Sequence, residues 1–246
     1  MIDLRPAAHV IGLVIVALGG MMIFPLVLDW SAGHPNWAAF LKSGLLCLVV
    51  GGALALATAN ALRGGLSLTQ VFLITVFTWF AACLFGALPL VLGAPGLSWS
   101  DAIFESTSGL TTTGATVIVG LDDLPMGANL WRGMLHWMGG LGIVIIAMLF
   151  LPVMKVGGMQ FFRSEGFDTL GKILPRALDI SSALVQIYVV LTLACAVTYA
   201  ALGMGGFDAV VHALSTVSTG GFSTTDQSFA KFSGVLEYAA ILFMLA

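Results

Sequence analysis

The residues with the clearest chemical capacity in this chain are uncharged oxygen donors. From Ser106 to Leu121, ten of sixteen residues are Ser, Thr or Gly, within the run "ESTSGLTTTGATVIVG" that begins at Glu105. Threonine hydroxyls and backbone carbonyls are oxygen ligands without charge. Glycine permits the dihedrals that turn successive carbonyls toward one axis. Such a set can replace the hydration shell of a monovalent cation. A divalent cation would call for carboxylates, and residues 111–116 and 218–223 contain none.

The pattern occurs twice. "DAIFESTSGLTTTGAT" at 101–116 aligns with "DAVVHALSTVSTGGFS" at 208–223, at a constant offset of 107 residues. Asp101 pairs with Asp208, Ser108 with Ser215, Thr112 with Thr219 and Gly114 with Gly221. One such stretch alone reads as an interfacial loop with polar helix caps. Two in register, each flanked by apolar spans, read as repeated ion-coordinating loops.

Other reactive side chains carry less. Glu105 and His212 occupy the same aligned position. Intramembrane ionisable residues are functional candidates by default, but packing behind the loop or binding a backbone group is the preferred reading here. His136, in "RGMLHWMGG", has no His or carboxylate at i+3 or i+4 to build a metal site, and reads as a packing or interfacial residue. His9 and His34 read as membrane-end residues. Asp122 and Asp123 read as a solvated rim with a weak capacity to concentrate cations. Cys47, Cys83 and Cys195 lack CxxC or Cys/His spacing and read as small buried hydrophobes. GxxxxGK[ST], GxSG and HExxH are all absent, and no nucleophile–base pair is apparent, so the sequence gives no support for an enzyme. "GG" at 51–52 and "GGLG" at 139–142 read as sites of close helix approach.

The elements that position these residues are membrane helices. The chain is 59% hydrophobic and 9% charged, with a mean hydropathy of +1.05, whereas soluble domains are about 25% charged. The net charge of −3 and the lack of a basic cluster give no indication of nucleic acid. Apolar windows predict spans at 6–28, 43–62, 66–92, 133–154 and 180–207. A sixth begins after Glu237 and is cut short at "YAAILFMLA", which reads as a partial chain. The first span is too long, and lacks the small-residue site, for a cleavable signal.

With alternating spans, Arg5, Arg63, Lys155, Arg163, Lys172 and Arg176 share one side, and Lys42, Arg132 and Lys231 the other. The positive side marks the cytoplasm, so the N-terminus is expected there. Were 101–120 to cross the membrane, this bias would collapse, so the segment is expected to enter and leave on one face. Asp101 and Asp208 suit helix N-termini, leaving the negative helix ends to face the membrane middle and favour a cation. The expected organisation is an N-terminal pair of transmembrane helices (1–63), a first helix–pore loop–helix repeat (64–156), a cytoplasmic loop (157–180) and a second repeat (181–246) truncated in its last helix.

At "FESTSGLTTTGATVI" (104–118), "LWRGMLHWMGGLGIVIIAMLFLP" (130–152) and "ALSTVSTGGFSTTD" (213–226) the chain resembles the Trk/Ktr/HKT superfamily of potassium transporters, most closely its TrkH/TrkG branch. The resemblance covers essentially the whole chain. It implies an all-α integral membrane fold, with helix–pore loop–helix units as in potassium channels preceded by two extra transmembrane helices. It implies potassium as the permeant ion and no organic cofactor on this chain. Filter strands would be Thr111, Thr112, Thr113 and Gly114, and Ser218, Thr219, Gly220 and Gly221. It further implies a bacterial inner-membrane location amid membrane lipid, a homodimer, and a TrkA-like cytoplasmic nucleotide-binding partner. Arg163, Lys172 and Arg176 read either as contacts for that partner or as residues that enforce topology and meet lipid headgroups. Only two of the family's four repeats are present, so either the third and fourth exist elsewhere, the preferred reading, or two copies pair to make four strands. A non-conducting assembly fragment and a secondary transporter with broken helices stay open as other readings. The latter would be expected to show inverted repeats, whereas these run parallel.

Overall fold

A computed structural model describes residues 3–61, 68–154, 170–232 and 234–245, with side chains at 68, 143–154 and 170–181 left aside. Arg63, Lys155, Arg163 and most of the expected cytoplasmic loop lie outside the described residues, as do the side chains of Lys172 and Arg176.

The described residues form ten α-helices: α1 (Arg5–Met21), α2 (Ile23–Ser31), α3 (Trp37–Ala57), α4 (Leu68–Gly86), α5 (Leu88–Leu92), α6 (Trp99–Leu110), α7 (Met126–Met154), α8 (Leu170–Ala201), α9 (Gly206–Val217) and α10 (Gly234–Leu245). Arg5–Ser31, Trp37–Ala57, Thr69–Leu92 and Ser182–Ala201 are long and apolar enough to cross a membrane. The 29 residues of α7 extend about 44 Å at ~1.5 Å per residue, more than the ~30 Å hydrocarbon core. The α1/α2 and α4/α5 breaks follow from Pro25 and Pro89, which cannot donate to the carbonyls four residues earlier and whose rings crowd them.

Three boundaries differ from the charge-free windows. Helix α3 begins at Trp37 and includes Lys42 on its exposed side. Helix α8 begins at Leu170, inside the segment read as a loop. Helix α7 begins at Met126 and takes in Arg132, which is 1% exposed. Arg132 is therefore no outer-surface charge; an ion pair with Glu105 accommodates it within the protein.

Helices α1 and α3 pack through backbone contact. A Cβ at Gly12 would stand 2.7 Å from the Ala55 nitrogen, and one at Gly51 2.7 Å from the Gly12 carbonyl oxygen. A Cβ at Gly52 meets no described atom within 4 Å. Gly51→Ala is expected to destabilise by about 1–3 kcal/mol, the usual cost of overpacking, and Gly52→Ala to be neutral or slightly stabilising. Melting of the two variants in detergent checks this, and equal melting temperatures would contradict it.

The end of α2 and the starts of α3 and α7 are tied by a buried carboxylate. Asp29, with no exposure, accepts from the Gly127 N–H at 2.6 Å and Asn36 Nδ2 at 2.8 Å. It thus neutralises the positive end of α7. Asn36 Oδ1 accepts from Ala94 N–H at 2.8 Å, linking α3 to the turn after α5. One apolar core (Ile15, Phe40, Leu90, Trp131, Leu135) joins α1, α3, α5 and α7 beneath α6. A second (Cys195, Tyr199, Ala213, Leu236) joins α8, α9 and α10. The three cysteines are free and buried.

Candidate ion-binding loops

Two twelve-residue helices, α6 and α9, carry the Thr/Gly stretches. Helix α6 starts where Ser98 Oγ accepts the Asp101 N–H at 3.2 Å. Helix α9 starts at Gly206 with Asp208 in its first turn, where its carboxylate accepts from Thr224 Oγ1 at 2.7 Å.

Beyond both helices the backbone follows one course. Thr112 and Thr219 have φ of 55° and 54°, and Gly114 and Gly221 have φ of 77° and 111°. The Thr113 N–H donates to the Ser108 carbonyl at 2.9 Å, and the aligned Gly220 N–H to the Ser215 carbonyl at 2.8 Å. A left-handed threonine costs about 1–2 kcal/mol, so its recurrence 107 residues on is a shared conformation, not an accident of one loop. The two stretches also touch. A Cβ on Gly114 would run into the Gly220 carbonyl oxygen and stand 3.4 Å from Gly221 Cα. Thr111 and its aligned Ser218 make the same bond to their own helices, donating to the Thr107 and Leu214 carbonyls at 2.7 and 2.9 Å, and differ in exposure and in their further partners. Thr111 and Thr113 are exposed and share a hydroxyl hydrogen bond of 2.8 Å. Ser218 is buried and gives its hydroxyl to the carbonyls of Leu214 and Ser215.

Behind the loops stands a polar layer. Glu105, fully buried, accepts from Thr116 Oγ1 at 2.8 Å, from the Val117 N–H at 3.0 Å and from Arg132 Nε at 2.8 Å. The aligned His212 bonds the Asp208 carbonyl through Nδ1 at 2.8 Å and Ser223 Oγ through Nε2 at 2.9 Å. Because Thr116 aligns with Ser223, both repeats tie the mid-helix residue to the same loop position. His136 lies behind the second loop: its ring would stand 2.5 Å from a Gly220 Cβ. Its Nδ1 is 3.2 Å from Ser215 Oγ, which accepts the Gly221 N–H at 2.9 Å.

Past the loops, the two segments that follow them are clamped together. Asp226 accepts from the Gly120 and Leu121 N–H groups at 2.9 and 3.0 Å. Asp122 accepts from the Asp226 N–H and pairs with Lys231 at 2.7 Å. Lys231 holds the Asp122 carboxyl below the usual carboxylate range. Asp122 was expected as solvated rim; it is exposed, but it also joins the two loops. The clamp's favourable charge state is present above the ordinary carboxylate pKa and is lost as pH falls through the lowered one. Among the described residues no group of three or more His, Cys, Asp or Glu could hold a metal ion.

Sequence reasoning missed Arg132, Asn129 and Phe222 as parts of the layer behind the loops, and Asp226 as part of the clamp. The signal for Arg132 was a charge on a helix running straight into an apolar span, with Glu105 the acid of the neighbouring segment.

A family model described as TrkH, cation transport protein, matches residues 37–246. The potassium uptake protein TrkH of Halomonas elongata is 42% identical over 248 residues, covering 99% of this chain and 51% of the relative. TrkH of Escherichia coli is 39% identical over 245 residues, covering 98% and 50%. The crystal structure of the potassium transporter TrkH from Vibrio parahaemolyticus superposes with a TM-score of 0.87 at 34% identity, over 99% of this chain and 49% of that one. The chain spans about half the length of the curated relatives it matches.

Proposed function

The chain belongs to the TrkH family of cation transport proteins, and on that premise we propose that it supplies two adjacent quarters of a pore for potassium uptake across the bacterial inner membrane. Backbone carbonyls of Thr111, Thr112, Thr113 and Gly114, and of Ser218, Thr219, Gly220 and Gly221, are the ligands. The carrying observation is the matched backbone course of the two loops together with the contact between Gly114 and Gly220. Helices α6 and α9 direct their negative ends toward these stretches and favour a cation there.

Half a ring leaves an ion without ligands on its other side, and unreplaced hydration is costly. The third and fourth repeats therefore complete the pore. The N-terminus is cytoplasmic, two such pores pair as a homodimer, and a TrkA-like nucleotide-binding protein regulates from the cytoplasm. The parallel direction of the two repeats favours this over a secondary transporter of inverted repeats.

The test is potassium uptake in cells lacking their own potassium transporters. The chain is expressed alone, and completed in one polypeptide by the other half of the Halomonas elongata relative. Membrane abundance is measured in both. Uptake only by the completed protein is expected. Uptake by neither, with both in the membrane, would leave the assembly-fragment reading in its place.

A further inference from the structure

We propose that Arg132 is a positioning residue that sets ion discrimination by holding both loops at the same distance beyond their glycines. The inference rests on the filter reading above. The guanidinium, 1% exposed, spends its donors on three separate segments. Nε donates to Glu105 Oε1 at 2.8 Å, Nη2 to Thr116 Oγ1 at 3.2 Å and Nη1 to the Ser223 carbonyl at 2.9 Å. Nη1 also reaches Asn129 Oδ1 at 3.3 Å, one turn earlier on α7.

Thr116 and Ser223 are aligned residues, each two positions past the left-handed glycine of its loop. One rigid planar group thus grips the first loop by a hydroxyl and the second by its main chain. Phe222, next to Gly221, lies under the guanidinium with its ring centroid 4.2 Å from Cζ. Glu105 completes the frame from inside α6, because it also holds Thr116 and the Val117 N–H. A buried ion pair is weak support for stability when compared with apolar packing. Three acceptors on three segments instead fix geometry, and a planar fork does this where a lysine ammonium cannot.

Arg132→Lys preserves the charge opposite Glu105 but lacks the fork. In the completed protein, the potassium-over-sodium uptake ratio is expected to fall about tenfold, the size of one lost charge-assisted hydrogen bond, with membrane abundance retained. Glu105→Gln is expected to shift the ratio in the same direction. A changed melting temperature with an unchanged ratio would overturn the proposal and leave Arg132 a structural residue only. Should Arg132→Lys fail to reach the membrane, Phe222→Leu decides, because it keeps the ion pair and removes the stacked ring. An approximately threefold fall supports the proposal, and no change overturns it. Gly114→Ser in the same assay separates the two readings. If it leaves the ratio intact, the filter assignment fails. If it lowers the ratio while Arg132→Lys does not, only the positioning role fails.

Discussion

Gly114→Ser, in the completed protein, is expected to lower the preference for potassium over sodium by at least about tenfold, a change of ~1.4 kcal/mol. Two independent costs meet at this position. Its φ of 77° lies in the left-handed region, where a side chain adds about 1–2 kcal/mol. The new Cβ would also collide with the Gly220 carbonyl oxygen and come within 3.1 Å of its carbon. The strain is relieved only by moving one proposed ligand strand away from the other. At Gly221, with φ of 111°, a Cβ would meet no described atom within 4 Å, so an alanine there carries the torsional cost without the collision and is expected to do less. Thr112→Val keeps both the carbonyl and the branched shape and is also expected to do less than Gly114→Ser. Competitive rubidium and sodium uptake ranks the three. A larger loss at Thr112 than at Gly114 would make the hydroxyl the important ligand.

Gly139→Ala is expected to reduce uptake about tenfold or more and to destabilise by roughly 1–3 kcal/mol, as overpacking does. Helix α7 crosses the end of α6 so closely that a Cβ at Gly139 would run into the Leu110 carbonyl oxygen, with the Leu110 Cα 2.9 Å away. Leu110 is the last residue of α6, and Thr111 follows directly. A displacement there moves the first proposed ligand strand at its root. Gly142, one turn later, meets no described atom within 4 Å, so Gly142→Ala is the matched control. It is expected to retain uptake and melting temperature. Equal effects at the two positions would mean that α7 does not bear on the loop in this way.

Much of this was legible in the residues because membrane helices and glycine turns leave simple signals. The apolar windows located the long helices, and the 107-residue register of the Thr/Gly stretches anticipated their common backbone course. Helix starts were less legible, because charge-free windows assume that every charge lies at the surface. Arg132 breaks that assumption through a partner 27 residues away. Asp29 does so through the backbone of Gly127, which has no side-chain signature. The "GGLG" stretch was readable as a close approach, yet what Gly139 approaches depends on how α6 folds back, a tertiary fact. Likewise His136 was readable as a packing residue, but not its place behind Gly220.

The most direct test of two loops sharing one ion path is anomalous diffraction from crystals of the completed protein soaked in thallium or rubidium. A peak within coordination distance of carbonyls from both 111–114 and 218–221 is the expected result. Well-ordered loops with the peak elsewhere, or against only one of them, would contradict the account.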